Sequence, residues 1–141
     1  MESRRDFIKN SCKRCAAGLT LGWLTTQLSA CATLPVLKVE NENGALAVPF
    51  SSFTEKNNQV IVRSSKMEYD ILLVKSGNAY TALQMKCTHQ DNPLTVNSTG
   101  LFCASHGSVF DLNGNVTKEP ALQPLKKYST KVTETSVLIN I

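Results

Sequence analysis

The chain has 141 residues, is 42% hydrophobic and carries a formal net charge of +4. That length holds one small domain plus an N-terminal extra segment, and the composition is that of a folded protein, not a disordered one. A nucleic-acid role is excluded by charge placement: Arg4, Arg5, Lys9, Lys13 and Arg14 against Glu2 and Asp6 put +3 into the first fifteen residues, leaving the rest near neutral.

The N-terminal segment reads as an address. Ser3-Arg4-Arg5-Asp6-Phe7-Ile8-Lys9 resembles the twin-arginine export signal. A moderately apolar run follows from Cys15 to Ala30, interrupted by Gly18, Thr20, Gly22, Thr25 and Thr26. It is weak for a membrane-spanning helix, which needs about 20 predominantly apolar residues. It suits the apolar region of a signal peptide. Leu28-Ser29-Ala30-Cys31 matches the bacterial lipobox at every position. These resemblances imply a signal peptide over 1–30 and a lipid on Cys31. They imply export to a periplasmic or outer face, with the membrane as a partner through the lipid anchor. The competing reading is an uncleaved apolar anchor. Cys12 and Cys15 form a C-x-x-C, which can be a redox or zinc half-site. Here they lie in the segment expected to be removed and are read as incidental.

Residues 31–44 read mostly as a polar tether, with room for a short strand at Val36–Val39. From Ala45 onward β signals dominate. Ala45–Phe50, Gln59–Arg63, Asp70–Lys75 and Ala79–Met85 are short runs rich in Val, Ile, Leu, Tyr and Thr. Asn57-Asn58 and Ser76-Gly77-Asn78 punctuate them as turns. Asn113-Gly114 after Phe110–Leu112 is a hairpin signal. Late strands are expected at Tyr128–Glu134 and Val137–Ile141. Ser51–Glu55 could hold one helical turn, and no longer helix is expected in the body. The expected fold class is all-β, with short antiparallel strands in a sandwich or small barrel.

Chemistry concentrates in one stretch. The only two histidines of the chain sit in Cys87-Thr88-His89 and Cys103-Ala104-Ser105-His106. Two thiolates and two imidazoles suit either tetrahedral zinc or an iron–sulfur centre. Zinc knuckles usually show C-x-x-C, so a C-x-H followed by a C-x-x-H leans toward iron and sulfur. In Rieske centres two His replace two Cys on one of the two irons.

The pattern C-T-H-Q followed by C-x-x-H-G-S-x-F-D resembles the cluster-binding loops of the Rieske iron–sulfur family. The likeness extends from about Ala45 to Ile141. It implies Rieske-type antiparallel sheets over 45–141, with a cluster-binding subdomain inserted at about 86–124. It implies a Rieske-type 2Fe-2S cluster. Cys87 and Cys103 would hold one iron, and His89 and His106 the iron that takes the electron. Ser108 would donate a hydrogen bond to a bridging sulfide, although both Ser108 and Asp111 also suit ordinary turns. Gly107 would allow a tight turn. Pro93 and Leu94 would shield the first loop, and Glu119-Pro120-Ala121 with Pro124 would form a covering third loop. A twin-arginine route exports folded proteins, which suits a cofactor loaded before export.

Three positions depart from the respiratory type. Asn92 and Ser105 stand where that type has a disulfide pair, and Phe110 stands where it has a Tyr bonded to a ligand sulfur. Fewer hydrogen bonds to sulfur imply an intermediate or low potential within a family span of roughly −150 to +300 mV. Oxygenases of the wider family need a second iron site with two more histidines and a carboxylate. This chain has no further histidine to supply it. The expectation is therefore a single-electron carrier on a bacterial membrane, without a substrate site of its own, served by redox protein partners. Two other readings stay open. One is the Rieske subunit of a quinol–cytochrome c reductase-like membrane oxidoreductase. The other is a structural zinc-binding lipoprotein.

Overall fold

The computed structural model describes residues 34–141. The twin-arginine motif, the lipobox and Cys12, Cys15 and Cys31 lie outside the described residues.

Eleven strands carry the fold among the described residues: β1 (Val36–Lys38), β2 (Ala45–Pro49), β3 (Gln59–Arg63), β4 (Ile71–Ser76), β5 (Ala79–Gln84), β6 (Thr95–Val96), β7 (Gly100–Phe102), β8 (Val109–Asp111), β9 (Val116–Lys118), β10 (Lys127–Val132) and β11 (Ser136–Asn140). A single 3-10 turn, Phe50–Ser52, follows β2. The base is a seven-stranded sheet in the order β1-β3-β4-β5-β10-β11-β2. A second, four-stranded sheet, β6-β7-β8-β9, stands between β5 and β10 in the chain, so it is an insertion. Every pairing is antiparallel except β1 with β3.

The sequence pattern of β4 explains how the two parts share one support. Ile71, Leu72, Leu73 and Val74 are all buried, which a one-sided strand would not need. Side chains alternate between the two faces of a strand. On one face Ile71 and Leu73 join Leu46, Val48, Val60, Val62, Ala82, Val137 and Ile139 in the core of the base. That cluster draws on β2, β3, β4, β5 and β11, so the sheet curls around it. On the other face Leu72 and Val74 join Leu83, Met85, Cys87, Leu94, Leu101, Cys103 and Phe110. Both cysteines are thus built on the back of the central strands.

The expected strands are present with small shifts in their ends. Gln59–Arg63 is reproduced, and Asp70–Lys75 moves by one residue to Ile71–Ser76. The stretch read as a tether contains β1, paired in parallel with β3 from Val36↔Ile61 to Lys38↔Arg63. The sheet therefore begins before Ala45. β6 and β7 lie between the two Cys-His pairs, where no strand was expected; they are two and three residues long, too short to show a period.

Asn113-Gly114 forms the turn between β8 and β9, with Gly114 at φ 80°. Asp111 holds that turn. Its Oδ1 accepts the backbone N–H groups of Asn113 (2.9 Å) and Asn115 (2.8 Å), and its Oδ2 accepts the Asn115 side-chain amide (3.0 Å). Burial pushes the Asp111 carboxyl up, but these bonds and the Lys127 charge outweigh it and hold the pKa below the ordinary value. A carboxyl with a lowered folded pKa stabilises the fold above its unfolded value, about 3.9, and loses that contribution as pH falls through the folded pKa. Asp111→Asn should therefore flatten the stability–pH curve below about pH 4. Urea denaturation of the full chain across that range checks it; an unchanged acid limb would show that Asp111 contributes nothing there.

Candidate metal centre

Two loops of the inserted part begin at the two cysteines and close in the same way. The Cys87 N–H donates to the Asn92 carbonyl (2.8 Å), and the Cys87 carbonyl accepts the Asp91 N–H (2.9 Å). In the second loop the Cys103 N–H donates to the Ser108 carbonyl (2.9 Å), and the Cys103 carbonyl accepts the Gly107 N–H (3.0 Å). The fifth residue of each loop has a positive φ: Asp91 at 51° and Gly107 at 84°. Glycine adopts that conformation at no steric cost, and Asp tolerates it better than most residues. The expectation of a tight turn at Gly107 is met, and Asp91 is its counterpart.

These turns bring the four candidate ligands together as two pairs. Cys87 and Cys103 are free thiols, 0% and 1% exposed. Both belong to one packed cluster. Burial raises the Cys103 pKa, but hydrogen bonds from the Ser105 and His106 backbone, from Cys87 and from the Ser105 side chain more than offset it. The rings of His89 and His106 stand edge to face with centroids 4.8 Å apart. His106 is exposed and His89 half-buried. His89 Nδ1 is buried with no hydrogen-bond partner. A buried nitrogen without a partner is costly, and a ligand bond would satisfy it. Among the described residues no three His, Cys, Asp or Glu side chains form a group that could hold one metal ion. Paired thiols beside paired imidazoles suit a binuclear centre in which each metal takes one pair.

The third loop closes over the other two. Ser108 is fully buried, and its Oγ accepts the Ala121 N–H (3.0 Å). A hydroxyl that accepts one bond still has its own proton to give. Thr88, between the first two candidate ligands, donates through Oγ1 to the Gln123 carbonyl (2.6 Å). Ala121 is buried while Pro124 is exposed. Leu94 is buried against this site, as expected, whereas Pro93 is exposed and bridges to Lys86. Phe110 is fully buried in the same cluster.

The first loop has a further support that sequence reasoning missed. Tyr69 donates its hydroxyl to the Asp91 carbonyl (2.5 Å). Lys86 Nζ is 3.0 Å from Asp91 Oδ2 and 5.4 Å from the centre of the Tyr69 ring. Tyr69 comes from the segment before β4, and nothing in the local sequence marks it. Thr88 was visible within C-T-H, but its partner Gln123 was not.

A family model for the Rieske 2Fe-2S domain matches residues 47–129. The chain belongs to the Rieske family. Its cofactor is accordingly a 2Fe-2S cluster. The chain is similar to the cytochrome b6-f complex iron–sulfur subunit of Chlorobaculum thiosulfatiphilum, with 31% identity over 77 residues that cover 52% of this chain and 41% of that subunit. It thus spans about two fifths of the curated relative it matches. Among solved structures, a chain from the complex of reduced oxygenase and oxidised ferredoxin in carbazole 1,9a-dioxygenase shares the fold: TM-score 0.54, 20% identity, covering 70% of this chain and 94% of that one. The cyanobacterial plasma-membrane Rieske protein of Synechocystis PCC 6803 matches at TM-score 0.48 and 24% identity, covering 70% and 87% of the two chains.

The Ser108 bond yields a stability prediction. Ser108→Ala leaves the buried Ala121 N–H without its partner, which should cost about 1–3 kcal/mol. Chemical denaturation measures it; unchanged stability would show that Ser108 does not hold the third loop.

Proposed function

We propose that this Rieske protein is a one-electron carrier, exported and tethered to a bacterial membrane by a lipid on Cys31. The observation that carries the electron-transfer reading is the buried thiol pair beside the paired imidazoles, with His89 Nδ1 left without a protein partner. Cys87 and Cys103 would hold one iron as thiolates, and His89 and His106 would hold the other through their imidazoles. The cluster, when bound, accepts and releases a single electron. The Ser108 oxygen holds Ala121, and its hydroxyl proton would be available to donate to the cluster. Leu94, Leu101 and Phe110 keep water from the thiolates. The exposed edge of His106 gives the closest approach for a separate redox protein, so no substrate pocket is required of this chain.

Three signal features in the right order support the lipid tether: the twin-arginine motif, the apolar run and the lipobox at Cys31. They favour a removable 1–30, followed by a short tether that leads into β1 of the domain. A second reading, a Rieske subunit within a quinol–cytochrome c reductase-like complex, is favoured by the likeness to the cytochrome b6-f subunit. The zinc reading is disfavoured because the donors stand as two pairs.

The full chain, purified from membranes, should be coloured and contain iron and labile sulfide in equal amounts. Colourless protein holding zinc would end the electron-carrier reading. Intact mass of the same preparation separates the anchors. A lipid-modified chain starting at Cys31 is expected, and a mass that retains residues 1–30 would defeat the lipoprotein assignment.

A further inference from the structure

The first two loops close with the same backbone bonds, but the residues at their turns differ. Gly107 takes its positive φ at no steric cost, whereas Asp91 carries a Cβ into φ 51°. The first loop holds that residue at all three of its polar groups. The Asp91 N–H donates to the Cys87 carbonyl (2.9 Å), its carbonyl accepts the Tyr69 hydroxyl (2.5 Å), and its carboxylate lies 3.0 Å from Lys86 Nζ. Only the first of these bonds lies within the turn and has a counterpart at Gly107. The other two come from outside it. Lys86 Nζ also stands 5.4 Å from the centre of the Tyr69 ring, so the two holding side chains brace each other. The Lys86–Asp91 pair is open to solvent on its carboxylate side and weak there, which leaves the Tyr69 hydroxyl as the stronger hold. Two residues before Asp91, in the same closed turn, stands His89. Its ring is half-buried, meets the His106 ring edge to face at 4.8 Å between centroids, and keeps Nδ1 buried.

We propose that Tyr69 is a positioning residue for electron transfer: its hydroxyl holds Asp91 in the left-handed conformation and so keeps the His89 ring in one position against the His106 ring. The inference rests on the reading of both histidines as ligands of the iron that takes the electron. Tyr69 acts through the Asp91 carbonyl, from the segment that leads into β4. A ligand that is already fixed does not have to rearrange when the electron arrives, and its supporting residues are what fix it. Without the hydroxyl, Asp91 relaxes toward negative φ, the turn loosens, and His89 moves with it. The second loop needs no such support, because glycine takes the turn unaided.

Tyr69→Phe keeps the ring beside Lys86 and removes only the hydroxyl. The full chain is purified with its cofactor and treated with diethyl pyrocarbonate, which acylates accessible imidazole nitrogen. Trypsin cuts after Lys86 and after Lys118 with no Lys or Arg between, so both histidines leave on one peptide, 87–118, whose fragmentation reports each ring. In the native chain His106 should label faster than His89. Losing one hydrogen bond raises the population of the loosened loop by about fivefold, so the His89 rate should rise by about that factor while the His106 rate stays within about twofold. The EPR lines of the reduced cluster should broaden as the His89 ring takes more than one position, and the electron self-exchange rate should fall. Adding Asp91→Gly to Tyr69→Phe should bring the His89 rate back toward the native value, because glycine needs no help at positive φ. An unchanged His89 rate, an equal rise at both histidines or an undiminished self-exchange rate would overturn the inference. So would a Tyr69→Phe chain that does not fold and that Asp91→Gly fails to rescue. Iron content separates the two readings: a native chain without iron would end the ligand reading, whereas iron-loaded protein with an unmoved His89 would sink the role of Tyr69 alone.

Discussion

Everything at the functional end of this molecule depends on one repeated backbone device. A cysteine amide reaches forward to a carbonyl five residues on, and its own carbonyl receives the amide between. The device sets each cysteine at the mouth of a closed turn with its sulfur inward. Because it appears twice, from Cys87 to Asn92 and from Cys103 to Ser108, both cysteines arrive buried in one packed cluster. The histidines follow two and three residues after their cysteines, which carries both rings to the outer side of the same turns. The third loop contributes the Ala121 amide and the Gln123 carbonyl as anchors for the other two loops.

The base makes this arrangement rigid by an economy of strands. β4 and β5 serve two cores at once, so the surface that carries the cysteines is the reverse side of the main sheet. A small domain buries a limited fraction of its surface, and sharing strands between two clusters raises that fraction. Tyr69 and Lys86 then fasten the first loop to the segment that leads into β4. Charged and aromatic side chains beyond the ends of the central strands thus fasten the first loop to the core.

The family motif and the long strands were legible because their signals are local. Gln59–Arg63 is a β-branched run that follows turn residues, and Cys-x-His with Cys-x-x-His needs only a few neighbours to be read. Asp111 was readable as a turn former, and it proves to be the residue that ties the β8–β9 turn. Other features were hidden for a physical reason. β1 is three residues long, and its place in the sheet comes from pairing with β3, more than twenty residues away. β6 and β7 are held by pairing within a sheet that exists only once the loops have closed. Tyr69 acts through a bond to a carbonyl twenty-two residues downstream, and no spacing rule encodes such a partner. Continuous burial in β4 looked like an ordinary apolar strand, and only the two clusters show that both of its faces are used.

The two turns match in their hydrogen bonds and in the positive φ of their fifth residue, but their surroundings differ. The first loop is fastened to Tyr69, Lys86 and Gln123, and its histidine is half-buried. The second loop carries the exposed histidine. The two candidate histidines are therefore inequivalent to anything outside. A molecule arriving from solvent meets the His106 ring ahead of the His89 ring. The centre has a front and a back, set by the scaffolding of the loops and not by the ligands themselves.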